Sequence, residues 1–252
     1  MNFNMTFNDI LNHGFVRKFA ELNQNVLTTG TQIILIISAV LVTLFASYLL
    51  GSLNFAIIIS GKQYKQDIRN FGSKNAGMTN MMRTYGKKAA GLTLLGDALK
   101  AVASAVIGYA LLGQLGAYIS GVFCILGHMF PIFYRFKGGK GVVTTAVSIL
   151  MCNPLVFLIL FTMFVIIVAF TKYISLGSVM CVLLYPLVLD RIERLLNPSG
   201  GSAFTLFAVL VAVLVVFKHK ENIKRLLNHT ESKFSFKKSV KTPSEEQEPD
   251  KK

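Results

Sequence analysis

Long apolar segments without charge dominate this chain of 252 residues. The longest, residues 33–59, contains no Lys, Arg, Asp or Glu. As a helix rising about 1.5 Å per residue, it is long enough to cross the roughly 30 Å hydrocarbon core of a bilayer. We therefore expect an all-α fold, a polytopic membrane helix bundle with about seven transmembrane helices. The remaining apolar segments lie at 91–112, 115–130, 155–170, 173–189 and 203–217, with a shorter one at 142–151.

Basic residues are distributed unevenly between the connections of these segments. Residues 61–88 contain seven Lys and Arg against the single acid Asp67, and residues 131–141 contain three against none, whereas the intervening connections are uncharged or balanced. Because Lys and Arg collect in the cytoplasmic loops of membrane proteins, we expect the N-terminus outside, the C-terminus in the cytoplasm and a multi-pass protein of the cell membrane. This topology accounts for the net charge of +14 without a nucleic-acid partner.

Composition and segment pattern divide the chain into three parts. Residues 1–30 form an N-terminal extension, in which apolar residues at helical spacing are compatible with an amphipathic helix on the outer membrane interface or with a solvated arm. Residues 31–231 form the membrane domain, and residues 232–252, rich in Lys, Glu, Pro and Ser, are expected to be a disordered cytoplasmic tail. The three cysteines show no CxxC spacing, so we expect no disulfide framework and no metal site.

The first polar cluster occupies residues 67–83, in a predicted cytoplasmic loop. Glycines let the backbone turn, hydroxyl and amide groups form hydrogen bonds, and Arg binds phosphate oxygens bidentately. This combination indicates an anion-binding loop, although basic residues that only set the topology are the alternative interpretation. The candidate ligands of an anion are Ser73, Asn75, Thr79, Asn80 and Arg83.

A glycine-rich turn at residues 137–141 forms the second cluster. It leads directly into the apolar segment 142–151, which would place free N–H groups and the positive end of a helix at a phosphate-sized site. The pattern is not a Walker A loop, because Gly141 follows Lys140 where Ser or Thr is required. The candidate residues are Lys137, Gly138, Gly139, Lys140 and Gly141.

The third cluster follows the last apolar segment. His219 and Asn222, three residues apart, would share one helix face. A role for His219 as base or substrate contact and a structural role at the membrane interface both remain open. Within segment 91–112, Asp97 and Lys100 are also three residues apart. They are expected either to neutralise each other or to reach a polar cavity near the clusters, since isolated charges are costly inside a membrane.

The three clusters together resemble the PlsY family, the bacterial membrane glycerol-3-phosphate acyltransferases that use acyl phosphate as donor. The resemblance runs from Gly51 to Glu231, with departures such as Asn54 at a usual Pro and Lys74 at a usual Gly. The matching motifs are Asp67-Ile-Arg69, Gly72-Ser73-x-Asn75-x-Gly77-x-Thr79-Asn80-x-x-Arg83, Asp97-x-x-Lys100, Gly127-His128, Phe136-Lys-Gly-Gly-Lys-Gly-Val142 and His219-x-Glu221-Asn222-Ile-x-Arg225, with Thr230-Glu231.

The resemblance implies seven spans, an active site facing the cytoplasm, and acyl transfer from acyl phosphate to the 1-hydroxyl of sn-glycerol 3-phosphate. The products would be lysophosphatidic acid and phosphate, and no cofactor is implied. Since acyl phosphate has a good leaving group, positioning and charge stabilisation would suffice without a protein general base. The implied catalytic residues are Ser73, Arg83, His219 and Asn222. The implied substrate-binding residues are Asn75, Thr79, Asn80, Lys137, Gly138, Gly139, Lys140 and Gly141, supported by Asp97, Lys100 and Glu221.

Two other classes of protein share parts of this pattern. A transporter for a phosphorylated solute would also have several spans and basic loops, but it is expected to show paired half-repeats, which are not apparent here. A scaffold that binds anionic lipid needs basic residues but not Asn, Thr, Gly and His at fixed spacing.

Overall fold

The computed structural model describes residues 14–196 and 204–234, and the regular structure in these residues is helical. Two short 3₁₀ turns, Ile68–Asn70 and Ile132–Tyr134, interrupt the loops. The predicted all-α class is therefore confirmed. The helices are α1 Phe15–Leu22, α2 Thr29–Ser52, α3 Phe55–Tyr64, α4 Met78–Tyr85, α5 Lys87–Met129, α6 Val142–Cys152, α7 Pro154–Thr171, α8 Ile174–Leu196, α9 Thr205–Lys218 and α10 Lys220–Leu227.

Four helical stretches in these residues are long and apolar enough to cross a membrane. They are Thr29–Tyr64, Lys87–Tyr134, Pro154–Thr171 and Ile174–Leu196, and α6 and α9 are shorter apolar helices. Large apolar side chains stand exposed on their outer faces, as at Phe170 on α7, which is 86% exposed. Apolar surfaces of this extent indicate contact with lipid, so the helices support the prediction of a membrane protein.

The 43-residue helix α5 is broken at Gly113, whose φ of 63° lies in the left-handed region that favours glycine. The two halves fold back on each other, as shown by the hydrogen bond that Ser104 Oγ donates to the Ser120 carbonyl oxygen at 3.2 Å. A Cβ at Gly108 would collide with the Gly116 carbonyl, so the two backbones are in close contact. The break matches the separation of apolar segments 91–112 and 115–130.

The first apolar segment, in contrast, is not one continuous helix. Asn54 ends α2 and caps α3, where its Oδ1 accepts the Ile57 N–H at 3.2 Å and its Nδ2 donates to the Ala76 carbonyl oxygen at 3.3 Å. Since Asn is a favoured N-cap residue, it restarts the helix within a run that hydropathy alone treats as uninterrupted. The break also leaves the Leu53 carbonyl oxygen free of the helix and available to other donors.

Small residues allow α2 and α5 to approach closely. A Cβ at Gly51 would meet the backbone of Cys124, and one at Gly127 would meet the Tyr48 carbonyl. Such contacts are typical of helix pairs in membranes. The main apolar core lies between α5, α6, α7, α8 and α9 and includes Ile125, Met129, Val156, Leu189 and Val215.

The two predicted terminal regions are only partly described. Helix α1 lies in the predicted extension, and a Cβ at Gly14 would collide with the backbone at Leu112 and Gly113, so the start of α1 lies against the break in α5. Residues 1–13 and 235–252 lie outside the described residues. The interfacial position of the extension and the disorder of the tail therefore stay predictions.

Candidate active site

The first loop joins α3 to α4 and is shaped by Asn80. The side chain of Asn80 is 1% exposed, and its Oδ1 accepts the Ser73 N–H at 3.0 Å. Its Nδ2 lies 3.0 Å from the carbonyl oxygens of Phe71 and Asn75 and 3.3 Å from that of Ile68. The amide of Asn80 is thus engaged by the loop backbone, so its role is to hold the loop in shape around the cavity.

Left-handed backbone positions give this loop its tight turn. Gly72 has a φ of 55° and Lys74 a φ of 59°. A Cβ at Gly72 would collide with Asn80 Oδ1, so glycine is required there for close approach as well as for conformation. Lys74, the departure from a usual glycine, therefore adopts a backbone conformation that costs a non-glycine residue about 1 kcal/mol or more.

The glycine-rich second loop turns back onto the end of α5. The Gly139 N–H donates to the His128 carbonyl oxygen at 3.1 Å and the Gly138 N–H to that of Met129 at 3.3 Å. Neither of these two N–H groups is therefore free for an anion, because the turn uses both to close on the helix end. Gly141, with a φ of 77°, then starts α6 directly after Lys140.

Arg69 connects the first loop to the second. Its Nη1 donates to the carbonyl oxygens of Tyr134 at 2.9 Å and Lys137 at 3.1 Å. Asp67 holds the same guanidinium through Nε and Nη2, with a shortest distance of 2.7 Å. The ion pair with Arg69 holds the pKa of Asp67 below its usual value. One guanidinium thus fixes the start of the glycine-rich turn relative to the first loop.

His219 lies at the junction of α9 and α10 with its side chain buried at 2% exposure. Its Nδ1 lies 2.7 Å from the Val215 carbonyl oxygen. Because a carbonyl can only accept, Nδ1 carries the proton and Nε2 keeps its lone pair. Burial and the nearby charge of Lys140 lower the pKa of His219 to about 4, so the ring is neutral at physiological pH. Nε2 of a neutral ring can accept a hydrogen bond from a substrate hydroxyl.

Asn222 links the second cluster to Glu231. Its Oδ1 accepts a hydrogen bond from Lys140 Nζ, and its Nδ2 donates to Glu231 Oε1 at 2.7 Å. Glu231 also accepts from Ser175 Oγ and from Arg225 Nε, each at 2.7 Å. Although burial by itself raises the pKa of a carboxyl group, these hydrogen bonds hold the pKa of Glu231 below its ordinary value.

The electrostatics around Lys140 favour binding of an anion. Burial and the neighbouring guanidinium of Arg225 lower the pKa of Lys140 to about 8. Arg83 lies on the same cavity, and its Nη2 donates to the Ser232 carbonyl oxygen at 3.3 Å. Among the described cavity residues outside the membrane helices, Glu231 is the one carboxylate, whereas Arg83, Lys140 and Arg225 are cations. A bound phosphate would therefore relieve the repulsion between these cations.

A buried charge cluster lies beneath the two loops. Lys100 Nζ lies 2.8 Å from Asp97 Oδ1, and both side chains are 2% exposed. His128 completes the cluster, with Nδ1 2.9 Å from Lys100 Nζ and 3.5 Å from Asp97 Oδ1. Both alternatives left open for Asp97 and Lys100 therefore apply, since the pair is mutually neutralised and Asp97 also lines the cavity.

These groups surround one cavity of about 530 Å³. Its polar end is formed by the three clusters, and its other end is lined by apolar side chains of α6, α7 and α8 such as Phe157, Phe164 and Val168. Leu94 and Phe161 line the cavity while being 41% and 48% exposed on the outer surface. The cavity thus continues from a cationic pocket to the lipid-facing side of the bundle.

Most of the residues predicted for the site meet at this cavity. Those that line it are Ser73, Asn75, Thr79, Asn80, Arg83, Asp97, Lys140, Gly141, His219 and Asn222. Those that do not are Lys100, Lys137, Gly138, Gly139 and Glu221. Lys137 and Glu221 are exposed, whereas Lys100 and Gly139 are buried behind the lining.

Other cavity residues received no role from the sequence. His128, Arg225 and Glu231 stand within the quoted motifs, but His128 and Glu231 have partners far away in the chain, at Lys100 and Ser175, which spacing alone does not reveal. Ser175 lies in an apolar segment without a polar pattern around it, and only the fold brings it to Glu231.

Fold and site together define a helical membrane protein whose cavity joins a cationic pocket to an apolar groove. A model of the family described as glycerol-3-phosphate acyltransferase matches residues 41–229. The chain belongs to this family, and its activity is the transfer of an acyl group to glycerol 3-phosphate. The reaction belongs to phospholipid synthesis.

Curated relatives and solved structures carry the same description. The glycerol-3-phosphate acyltransferase of Finegoldia magna is 42% identical over 189 residues, covering 74% of this chain and 91% of the relative. That of Thermoanaerobacter pseudethanolicus is 40% identical over 199 residues, covering 79% and 98%. The glycerol 3-phosphate form of PlsY (YgiH), an integral membrane glycerol 3-phosphate acyltransferase, superimposes with a TM-score of 0.69 at 34% identity, covering 79% of this chain and 96% of that one.

Proposed function

We propose that the chain transfers the acyl group of acyl phosphate to the 1-hydroxyl of sn-glycerol 3-phosphate, giving lysophosphatidic acid and inorganic phosphate. The observation that carries this proposal is the single cavity with a cationic end and an apolar end. Acyl phosphate has the same division, since its phosphate is anionic and its chain is apolar. A solved structure of PlsY is described as its lysophosphatidic acid form, which supports the product.

The two phosphates would bind in separate parts of the polar end. Ser73, Asn75, Thr79 and Arg83 would hold the phosphate of the donor, while Asn80 keeps their loop in shape. Glycerol 3-phosphate would bind at Lys140 and the first turn of α6, where the amine and the free N–H groups of the helix start favour an anion.

His219 and Asn222 would position the attacking hydroxyl. The hydroxyl oxygen attacks the acyl carbon, the bond between that carbon and the phosphate oxygen breaks, and the departing phosphate takes the hydroxyl proton. His219 Nε2 accepts the hydrogen bond that orients the hydroxyl, but a group with a pKa of about 4 is a weak base. Positioning and charge stabilisation then supply the acceleration, without a protein general base.

We propose further that the chain has seven spans, with its N-terminus outside and its active site facing the cytoplasm. The break at Gly113 and the shorter helices α6 and α9 supply the spans beyond the four long ones. The basic connections 61–88 and 131–141 carry the site residues, which supports a cytoplasmic position by the positive-inside rule. Labelling of single cysteines introduced at Lys62 and at Arg191 in intact cells tests the orientation, because only Arg191, in the connection between the sixth and seventh spans, would lie outside.

The reaction is tested with purified protein in detergent. Palmitoyl phosphate and labelled glycerol 3-phosphate are expected to give lysophosphatidic acid, whereas palmitoyl-CoA is expected to give none. Arg83→Lys serves as the site variant and Arg194→Lys, a change in an exposed ion pair, as the matched control. Product from palmitoyl-CoA alone would refute the choice of donor, and product from neither donor with folded protein would favour a transporter.

A further inference from the structure

The ammonium group of Lys100 determines which nitrogen of His128 carries a proton. It lies 2.7 Å from the Leu53 carbonyl oxygen, 2.8 Å from Asp97 Oδ1 and 2.9 Å from His128 Nδ1. An ammonium has three hydrogens and no lone pair, so its contact with His128 Nδ1 can only be a donated hydrogen bond. His128 Nδ1 must therefore accept, and the proton of the neutral imidazole lies on Nε2.

Nε2 of His128 faces the place where the two anion-binding loops meet. A Cβ at Gly139 would collide with Nε2 on one side and approach the Ala76 carbonyl oxygen on the other. His128 is 4% exposed and lines the cavity. Within the described residues, Nε2 donates to no protein acceptor. Because His128 lines the cavity and this N–H has no acceptor within the described residues, a bound substrate can supply one.

The neighbours of His128 indicate which substrate group it meets. Its Nε2 lies near Ala76 of the first loop, because a Cβ at Gly139 would meet both, and its Nδ1 lies 3.5 Å from Asp97, which precedes the apolar cavity residue Ala98 on α5. The carbonyl of an acyl phosphate lies at the same transition, because the phosphate is on one side of it and the chain on the other.

We propose that His128 Nε2–H donates a hydrogen bond to the carbonyl oxygen of the acyl phosphate. Lys100 and Asp97 are positioning residues that hold the imidazole in the required tautomer. When the hydroxyl attacks, negative charge develops on this oxygen and the N–H donor stabilises it. The proton stays on Nε2 throughout, and the hydroxyl proton leaves with phosphate as before. This inference rests on the proposed acyl-phosphate reaction.

A matched pair of variants separates this role from a structural one. The amide nitrogen of Gln reaches about as far as Nε2, so His128→Gln keeps the donor to substrate. His128→Asn reaches only as far as Nδ1, so it keeps the acceptor for Lys100 and loses the donor. We expect kcat of His128→Asn to fall by about 10²–10³-fold, the cost of one lost oxyanion donor, and His128→Gln to retain more activity. KM for glycerol 3-phosphate is expected to stay nearly constant.

A higher kcat in His128→Asn than in His128→Gln would overturn the inference, because Asn is the better replacement for a residue that is needed only to hold Lys100. Wild-type activity in both variants would overturn it as well. If wild-type protein makes no product from palmitoyl phosphate, the proposed function itself fails; if wild type is active and the order is reversed, only the role of His128 fails.

A measurement on unchanged protein guards against variants that do not fold. ¹⁵N NMR of histidine-labelled protein in detergent is expected to show one buried histidine unprotonated at Nδ1 and protonated at Nε2. Its Nε2 proton is expected to shift when an acyl phosphonate is added, because the phosphonate offers the same carbonyl. A proton on Nδ1 of His128, or no shift at saturating phosphonate, would overturn the proposal.

Discussion

Asn80 allows a direct test of how the first loop keeps its shape. Its Oδ1 accepts one hydrogen bond from the loop backbone, and its Nδ2, which has two hydrogens, lies within 3.0–3.3 Å of three loop carbonyl oxygens. Asn80→Ala removes these contacts and leaves the Ser73 N–H and the neighbouring carbonyl groups without this partner. At about 1 kcal/mol for each of roughly three net hydrogen bonds, we expect a loss of about 3 kcal/mol. For a domain of this size, that corresponds to a fall in Tm of roughly 6–12 °C.

A thiol-reactive fluorogenic dye provides the assay, because Cys124 and Cys152 are buried and react only on unfolding. Asn80→Asp tests the geometry, since it keeps the shape and the acceptor but turns an oxygen toward three carbonyl oxygens. It is expected to be at least as destabilising as alanine. Lys74→Gly is the control in the same loop, and its Tm is expected to hold or rise because φ is 59° there. An Asn80→Ala protein with wild-type Tm and kcat would refute the reasoning.

Three further predictions concern the second loop, the cavity charge and the helix contacts. A Lys at position 69 cannot hold the carbonyls of Tyr134 and Lys137 and the Asp67 carboxylate at once. For Arg69→Lys, KM for glycerol 3-phosphate is therefore expected to rise about tenfold, the equivalent of roughly 1.4 kcal/mol, with a smaller change in kcat. An unchanged KM would contradict this role of Arg69. With a pKa of about 8, Lys140 loses its charge as the pH rises through 8, so KM for glycerol 3-phosphate is expected to increase above that pH and to stay flat in Lys140→Arg. Gly51→Ala is expected to destabilise by about 1–3 kcal/mol, because its Cβ would meet the backbone of Cys124. Gly61→Ala, which has open space within helix α3, is the control in dye-based melting, and its Tm is expected to hold or rise.

The sequence predicts which residues lie at the cavity better than it predicts what each of them contacts. Clusters of Asn, Gly, Arg, Lys and His at loop positions identify the loops that line the cavity, because residue chemistry and segment ends are local properties. The role of Asn80 is different: whether its amide meets a substrate or the loop backbone depends on the path of residues 68–75. The hydrogen bonds of the Gly138 and Gly139 N–H groups depend on the fold in the same way, since their acceptors lie at the end of α5, about ten residues earlier in the chain.

The interruption between α2 and α3 shows the corresponding limit for the fold. Hydropathy averages over many residues and therefore treats 33–59 as one apolar segment. A single Asn54 side chain restarts the helix by capping it, and the freed Leu53 carbonyl becomes a partner of Lys100. The end of α2 is thus connected to the buried charge cluster by hydrogen bonds of single residues, which an average of hydropathy does not contain.

Because Leu94, Leu150 and Phe161 belong both to the cavity wall and to the outer surface, the two substrates of the proposed reaction arrive from different phases. The acyl donor would reach the site by two-dimensional diffusion along the leaflet, whereas glycerol 3-phosphate would arrive from solution. Turnover in vesicles is then governed by the mole fraction of acyl phosphate among the lipids and not by its bulk concentration. Diluting the donor with inert phospholipid would slow the enzyme even when the total amount of donor per volume is held constant.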